Sequence, residues 1–404
     1  MSKVSLLKVK EDIDSAVARL LAEAGFSDRL RGDSILIKPN IFEPVSYTTG
    51  QTTNPYLIEA VIKWCFNQDA QEVCVGEGPS YFLPEKALKE CFIKTGVAEV
   101  VERCHAKWIL FDEHSFKTYR DISPFLPKQF RISEHAFLYN KIINIPVPKT
   151  HYLTKVSIAM KNLKGFLKRE DKPLFHQVGI NEAVVELNKI IKPSLNLVDF
   201  TAPVQKHSGF ILAGSDIVAV DTVTTSLMGF NPDEIKTIHL GSQAGLGEMN
   251  LAKIDIQGED IKGLKMHYEL PSEWLKKKFP FLKIIGFDTA CSGCLTPLFS
   301  SLTQLEDQGK SFKKPLTIML GSTDYAEYPS DVLMIGDCTV NKFEKDKRVN
   351  PVRKFVRGIK SHPNLLHFST PHKWRCSLSN GVKGCPPQKE DILNALIEHM
   401  QDNY

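Results

Sequence analysis

Three stretches decide the fold: SILIKPN (Ser34–Asn40), NPYLIEAVIKWCF (Asn54–Phe66) and EVCVGEGPS (Glu72–Ser80). Ser34–Lys38 is a short β-branched run closed by the turn signal Pro39-Asn40, which predicts a strand. In the second stretch Leu57, Ile58, Val61, Ile62 and Cys65 repeat at helical spacing, with Pro55 at the start where its missing N–H costs nothing. Glu72–Gly76 reads as a second strand, ending in the glycine-containing turn Gly76–Ser80. Strand, helix, strand in this order argues for a parallel sheet with helices on its faces, because parallel neighbours need a long crossover that is usually a helix.

Working outward, the alternation continues. A helix carries Ala87, Leu88 and Cys91; Trp108–Phe111 and Lys141–Val147 read as strands, Asn181–Ile191 as a helix, and Leu195–Phe200 as a strand. Ser215–Met228 reads as a helix ended by Gly229, and Lys253–Gln257 as a short strand. The pattern turns charged and irregular over Pro271–Lys283, which sets a domain boundary near 275. Beyond it Leu282–Phe287, Leu316–Leu320 and Val332–Ile335 read as strands, and Pro297–Glu306 and Asp391–His399 as helices. The expected class is α/β, with mostly parallel sheets flanked by helices. Residues 1–275 form one domain, or two subdomains, and 276–404 form a second. The Gly76–Ser80 turn lies where such sheets bind ligands, but it lacks the G-x-G-x-x-G pattern of dinucleotide binding, and a plain tight turn accounts for it.

Composition narrows the function. The chain has 404 residues, 42% hydrophobic and 24% charged, with a net charge of +4. That charge is too small, and no tract too basic, to imply nucleic acid. No apolar stretch reaches the length of a membrane span, and the first residues lack a signal-peptide pattern, so a cytoplasmic protein is expected. Nine cysteines in that compartment are not a disulfide framework, and metal ligation is the first question to ask of them.

Four cysteines have the spacing of a ligand set: Cys291-x-x-Cys294, then Cys338, then Cys385 in Gly384-Cys385-Pro386-Pro387. A structural zinc site usually draws on two close pairs. One pair and two isolated cysteines, each beside a strand or helix end, suit the larger iron–sulfur cluster, and proline after the last cysteine stiffens its loop. Zinc and unligated thiols are the alternatives. Cys376 is a rival fourth ligand. Cys65, Cys74 and Cys91 fall on apolar faces, and Cys104 belongs to no motif, so these four read as core residues.

The segments Ala290–Cys294, Gly336–Cys338 and Gly384–Leu393 resemble, over about 120 residues, the small subunit of nickel–iron hydrogenases and the cluster subunit of respiratory complex I. The resemblance implies a flavodoxin-like C-terminal domain holding one 4Fe–4S cluster. It implies no nickel, whose ligands belong to another subunit. A flavin is compatible with such a domain, although no separate phosphate loop is present to hold one.

The second constellation is Lys149–Arg169 (KTHYLTKVSIAMKNLKGFLKR), with six Lys/Arg and no acid. Ser157, Lys161, Lys164 and Lys168 form one helical stripe, and Val156, Met160, Leu163 and Leu167 another. A solvated amphipathic face is the plain reading. An anion pocket is the functional one, with lysines neutralising phosphate or carboxylate and His151 moving a proton. Lys38 and Asn40 sit where that pocket would gather a further cation and an amide. His176, isolated in sequence, reads as structural.

Ile37–Asn40, Pro148–His151, Met160–Gly165 and Asp216–Asp221 are similar to the recurring motifs of the family known as domain of unknown function 362. The resemblance implies one shared site. Its catalytic candidates are His151, Lys149 and Lys161, and its substrate-binding candidates are Lys38, Asn40, Asn162, Lys164 and Asp221. Many members carry closely spaced ferredoxin-type cysteines, whereas the dispersed set here implies a single cluster held by Cys291, Cys294, Cys338 and Cys385.

The leading expectation is an iron–sulfur oxidoreductase. It would take electrons from a ferredoxin-like donor or similar redox partner and pass them to an anionic small molecule or cofactor in the basic pocket. A non-enzymatic electron carrier and a non-redox enzyme with a structural cluster are the alternatives. They are distinguished by whether a small-molecule cavity lies at Lys149, His151 and Lys161, and by whether turnover responds to reduction of the cluster.

Overall fold

Leu36 of Ser34–Lys38 packs toward one core while its neighbours Ile35 and Ile37 pack toward another. That alternation, with both faces apolar, marks a strand buried in the middle of a doubly covered sheet. The structure, a computed structural model, describes residues 1–10, 12–26, 30–204, 208–287, 289–322, 332–345 and 381–401. Cys376 lies outside the described residues. The chain divides into two compact units, residues 1–270 and 271–404.

In the first unit the strands are β1 (Ser2–Lys8), β2 (Ser34–Lys38), β3 (Glu72–Glu77), β4 (Lys107–Leu110), β5 (Phe116–Arg120), β6 (Gln129–Ser133), β7 (Lys141–Asn144), β8 (Lys149–His151), β9 (Lys155–Ser157), β10 (Leu195–Phe200), β11 (Phe210–Gly214) and β12 (Ile254–Gly258). Eight of them form one sheet in the order β12-β1-β11-β10-β7-β2-β3-β4. Only β11 opposes its neighbours in direction, pairing antiparallel with both β1 and β10. The other two pairs, β5–β6 and β8–β9, are small antiparallel ribbons.

The helix Pro55–Asn67 returns the chain from β2 to β3, capped by the Asn54 side chain on the amide of Tyr56. Its Leu57, Ile58, Val61 and Ile62 are fully buried, each contributing about 1.5–3 kcal/mol on burial. The chain runs outward from β2 through β3 to β4, then crosses back to place β7 on the other side of β2. The sheet therefore has a topological switch point between β2 and β7, the place beyond the carboxyl ends of the strands where sheets of this kind bind ligands.

In the second unit β13 (Leu282–Ile285), β14 (Leu316–Leu320), β15 (Val332–Ile335) and β16 (Gly381–Val382) form a parallel sheet in sequence order. The helices Ser292–Asp307 and Lys389–Gln401 belong to this unit. Among the described residues no helix is long and apolar enough to cross a membrane.

Three local expectations need correction. The segment 149–169 is not one amphipathic helix: it is the β8–β9 ribbon, a single helical turn at Ala159–Asn162 and a 3-10 turn at Leu163–Phe166. Lys155 at φ 60° and Ile158 at φ −136°, ψ −138° both leave the helical region and break the run. The apolar stripe is buried nonetheless, with Val156, Met160, Leu163 and Leu167 at most 3% exposed. The helix expected from Pro297 begins instead at Ser292, directly after Cys291. The strand expected over Lys141–Val147 stops at Asn144, before Pro146 and Pro148 remove two amide donors.

Candidate functional site

The strands β2, β3 and β7 are neighbours at the switch point, and the carboxyl end of each contributes a buried polar residue. Lys38 ends β2, wholly buried, with its Nζ 2.8 and 2.9 Å from the two carboxylate oxygens of Glu77 at the end of β3. Glu77 also accepts from the amides of Ile41, 3.2 Å, and Gly78, 2.9 Å. Charge and hydrogen bonds are thus balanced on both members, the condition for keeping an ion pair inside a protein. Gly165 presses against this pair: a Cβ at that position would stand 2.1 Å from Glu77 Oε1 and 2.5 Å from Lys38 Nζ. A glycine in Lys164-Gly165 is therefore a requirement of close approach.

An asparagine chain links the strand ends to the basic segment. Asn144, the last residue of β7, donates to Asn196 Oδ1 of β10 at 2.9 Å and to the Ala159 carbonyl at 3.1 Å. Asn162 donates to Asn144 Oδ1 at 2.8 Å and to the Pro39 carbonyl at 3.2 Å, and accepts from Asn40 at 3.1 Å. Asn40 in turn accepts from Lys149 Nζ, which also donates to the Gln51 carbonyl at 3.1 Å. Asp221, 3% exposed, accepts from the amides of Ala159 and Met160 at 2.8 and 3.2 Å. Both its oxygens are thus committed to the turn that carries Lys161 and Asn162. It acts on the site by holding that turn.

The structure brings Lys149, His151, Lys161 and Lys164 into one electrostatic neighbourhood. His151 feels the charges of Lys161, Lys164 and Lys149, and burial together with these cations holds it well below the ordinary histidine range. Burial, with Lys149 adding repulsion, pushes Lys161 down to about 7. Burial pushes Lys149 down to about 8 against the opposing pull of Glu77 and Glu43. Lys164 is held well below its ordinary value by burial and by Lys161 and Lys172. Each of these residues still keeps part of its surface open to solvent. Lys161 has no hydrogen-bond or ion-pair partner among the described residues. Lysines gathered with so little compensating acid form a site in which an anion would be stabilised.

The tautomer of His151 follows from its backbone. Its Nδ1 accepts from the amides of Leu153 and Thr154, 3.1 and 3.3 Å, so the neutral ring carries its proton on Nε2. The ring can therefore donate a hydrogen bond from Nε2, as an electrophile toward a bound oxygen. Proton transfer falls to a lysine such as Lys161, whose amine is close to half-protonated near neutral pH.

Sequence reasoning did not single out Glu77, Asn144, Asn196, Lys172 or Gly165. It took His176 as structural, and the structure brings it in: its Nε2 lies 2.8 Å from Lys164 Nζ, and its ring stacks 6.4 Å from that of His151. Lys172, pushed down to about 8 by burial, donates to the carbonyls of Gly78 and Pro79 at 2.6 and 2.8 Å and fixes the Gly76–Ser80 turn. The position of Glu77 between two glycines at a strand end was the one available signal for it.

In the second unit the cysteine loops all leave the carboxyl ends of strands. Cys291 precedes the helix Ser292–Asp307 and Cys294 lies in its first turn, with Sγ 3.9 Å from the Ile335 carbonyl of β15. Gly336 follows at φ 89°, where an added Cβ would fall 2.5 Å from Cys294 Sγ. The next loop carries Cys338, and Asp337 ties it to the loop of Cys385 by accepting from the Gly384 amide at 2.8 Å. Cys294 donates to Cys291 and lowers its thiol below the ordinary value. The charges of Cys338 and Cys385 act on Cys294, and that of Cys291 acts on both. Among the described residues no three His, Cys, Asp or Glu side chains stand close enough to share a single metal ion. Cys65, Cys74 and Cys91 are buried in the first unit and Cys104 is half-buried against its core.

Residues 35–226 match the family model described as a domain of unknown function, DUF362. The matched span contains every residue of the lysine site from Lys38 to Asp221 and none of the four C-terminal cysteines. A thylakoid-associated protein of Synechocystis sp. is 24% identical over 230 residues, 53% of this chain and 69% of that protein. Among solved structures, the lactate racemase apoprotein from Thermoanaerobacterium thermosaccharolyticum matches with a TM-score of 0.36 and 13% identity over 53% of this chain. The match spans about half, 54%, of the racemase chain. A protein from Thermotoga maritima matches with a TM-score of 0.41 and 12% identity, covering 83% of this chain and 79% of that one.

Proposed function

We propose that this protein is an iron–sulfur oxidoreductase that acts on a small anion held at the switch point of the first unit. The observation that carries the reading is the set of partly desolvated lysines, Lys149, Lys161 and Lys164, gathered around His151 at the carboxyl ends of the strands. Lys149 and Lys164 orient the anion, His151 donates from Nε2 to a substrate oxygen, and Lys161 gives or takes the proton that accompanies electron transfer. Lys38, Asn40, Asn162 and Asp221 hold these groups in place through the ion pair, the asparagine chain and the 159–162 turn.

Cys291, Cys294, Cys338 and Cys385 fit one 4Fe–4S cluster in a flavodoxin-like domain. The support is chemical: four thiols from three strand-end loops feel one another's charge, and supply from several loops suits a cluster. Their likeness to the cysteine order of the hydrogenase small subunit supports the same choice. When bound, the group supplies single electrons, received from a ferredoxin-like donor. A cytoplasmic location accords with the free thiols.

The test is reoxidation. Anaerobically purified, reduced protein is mixed with small phosphorylated and carboxylated oxidants and followed by cluster absorbance. The reading expects at least one anion to speed reoxidation, and Lys161→Met to remove the effect. Iron-loaded protein that no member of the panel reoxidises faster than buffer does would overturn the oxidoreductase assignment.

A further inference from the structure

The lysine site constrains its ligand beyond the sign of the charge. Lys38 is compensated by Glu77, and Lys172 is bound to two carbonyls and drawn to Asp112. Lys149, Lys161 and Lys164 remain with no carboxylate ion-paired to them among the described residues; Glu77 and Glu43 act on Lys149 only at a distance. Burial holds much of this trio neutral in the absence of a ligand. A dianion draws protons onto these amines more strongly than a monoanion does, so the site favours the doubly charged ligand.

The donors also differ from a carboxylate clamp. Carboxylates are planar and are best met by the fork of an arginine, in two parallel hydrogen bonds. No arginine acts on Lys149, Lys161 or Lys164 among the described residues; Arg131 is engaged with Asp171 at 2.7 and 2.9 Å, and Arg169 with the carbonyls of Tyr81 and Leu83. The pocket instead offers point-charge ammoniums from three separate local elements, namely β8, the 159–162 turn and the 163–166 turn. Ammoniums carried on separate elements need not lie in one plane, which suits the peripheral oxygens of a tetrahedral phosphoryl group better than the two coplanar oxygens of a carboxylate. The Nε2–H of His151 supplies a neutral donor among them.

We infer that the pocket takes the phosphoryl group of a phosphate-monoester ligand, gripped by Lys149, Lys161 and Lys164 with His151 donating from Nε2. The inference rests on the anion-pocket reading above and narrows it to a ligand class. Binding a dianion raises the proton affinity of the surrounding lysines, so association takes up protons from solution. Lys38, Lys172, Glu43 and Glu77 face the same groups and enter that balance.

The experiment is calorimetric titration of the full chain with inorganic phosphate, sulfate and malonate at about pH 8, between the depressed and the ordinary lysine values. Sulfate is the tetrahedral dianion that does not titrate there, and malonate carries its two charges on planar carboxylates. Phosphate and sulfate should bind at least about tenfold more tightly than malonate. The apparent heat for sulfate should vary between buffers in the direction of proton uptake. Lys161→Met and Lys164→Met, separately, should each weaken phosphate at least about tenfold with the thermal transition retained. If malonate equals or exceeds sulfate, the phosphoryl assignment is overturned and the anion pocket stands. If none of the three binds, or binding is indifferent to both variants, the inference and the pocket reading fall together.

Discussion

Replacing Glu77 by glutamine keeps the volume at the end of β3 but removes the carboxylate against which Lys38 is held. Lys38 is 0% exposed and Glu77 2%, so the ammonium left behind has no water to solvate it. Breaking a buried pair from one side costs about 3–5 kcal/mol. The loss has a ceiling, because Lys38 can give up its proton instead. From an ordinary value of about 10.4 that costs about 4.6 kcal/mol at pH 7, at about 1.36 kcal/mol per pH unit. The two figures agree. The ceiling also gives a pH signature. In the variant the folded state holds Lys38 neutral while the unfolded state binds the proton, so stability rises with pH. At about pH 9 the deficit should be smaller by up to about 2.7 kcal/mol. Urea unfolding followed by the fluorescence of Trp64 and Trp108 measures both values. The added substitution Lys38→Met should recover part of the loss. A deficit below about 1 kcal/mol, or one independent of pH, would refute the claim that this pair is buried and ionised.

Three further outcomes follow from the same geometry. Lys149, Lys161 and Lys172 sit at about 8, 7 and 8 in the folded protein. Through these lysines the unfolded chain binds more protons from about pH 7, and stability without ligand should rise between about pH 7 and about pH 8.5; above that the thiols of Cys65 and Cys91, pushed up to about 12 by burial, ionise only in the unfolded chain and oppose the rise. Sulfate, by raising the folded values, should flatten the rise; thermal unfolding at the two ends, with and without sulfate, checks it. Asp221→Asn leaves one of the Ala159 and Met160 amides facing an NH2 group. It should cost about 1–3 kcal/mol and weaken anion binding together, and a normal melting temperature would count against the positioning role. Gly336→Ala drives a Cβ to within 2.5 Å of Cys294 Sγ, at a φ of 89° that alanine rarely adopts. Its iron content, measured beside wild type after anaerobic purification, should fall sharply.

The strands whose residues are apolar on both faces were legible, because Ile35, Leu36 and Ile37 leave no other placement. β1 and β11 were not read. Ser5, buried at 0%, interrupts the first with a polar residue, and β11 pairs antiparallel in a sheet whose other neighbours are parallel. The lysine site was legible as a set of residue types in Lys149–Lys164, but not as a geometry. Helical periodicity suggested a solvated stripe, whereas Lys155 and Ile158 break the helix and fold the lysines inward. Glu77 and Asn144 join the site only because β7 crosses back beside β2, and strand order leaves no mark in local sequence. His176 likewise arrives through tertiary packing, against Lys164 and His151.

What Cys291, Cys294, Cys338 and Cys385 hold decides whether the protein is an iron–sulfur oxidoreductase. Iron, zinc and acid-labile sulfide should be counted per chain in anaerobically purified protein, with EPR spectra recorded before and after reduction. About four irons and four sulfides, with a signal appearing on reduction and lost in Cys291→Ala and Cys338→Ala, is the expected result. One zinc per chain, or iron with no signal on reduction, would contradict it.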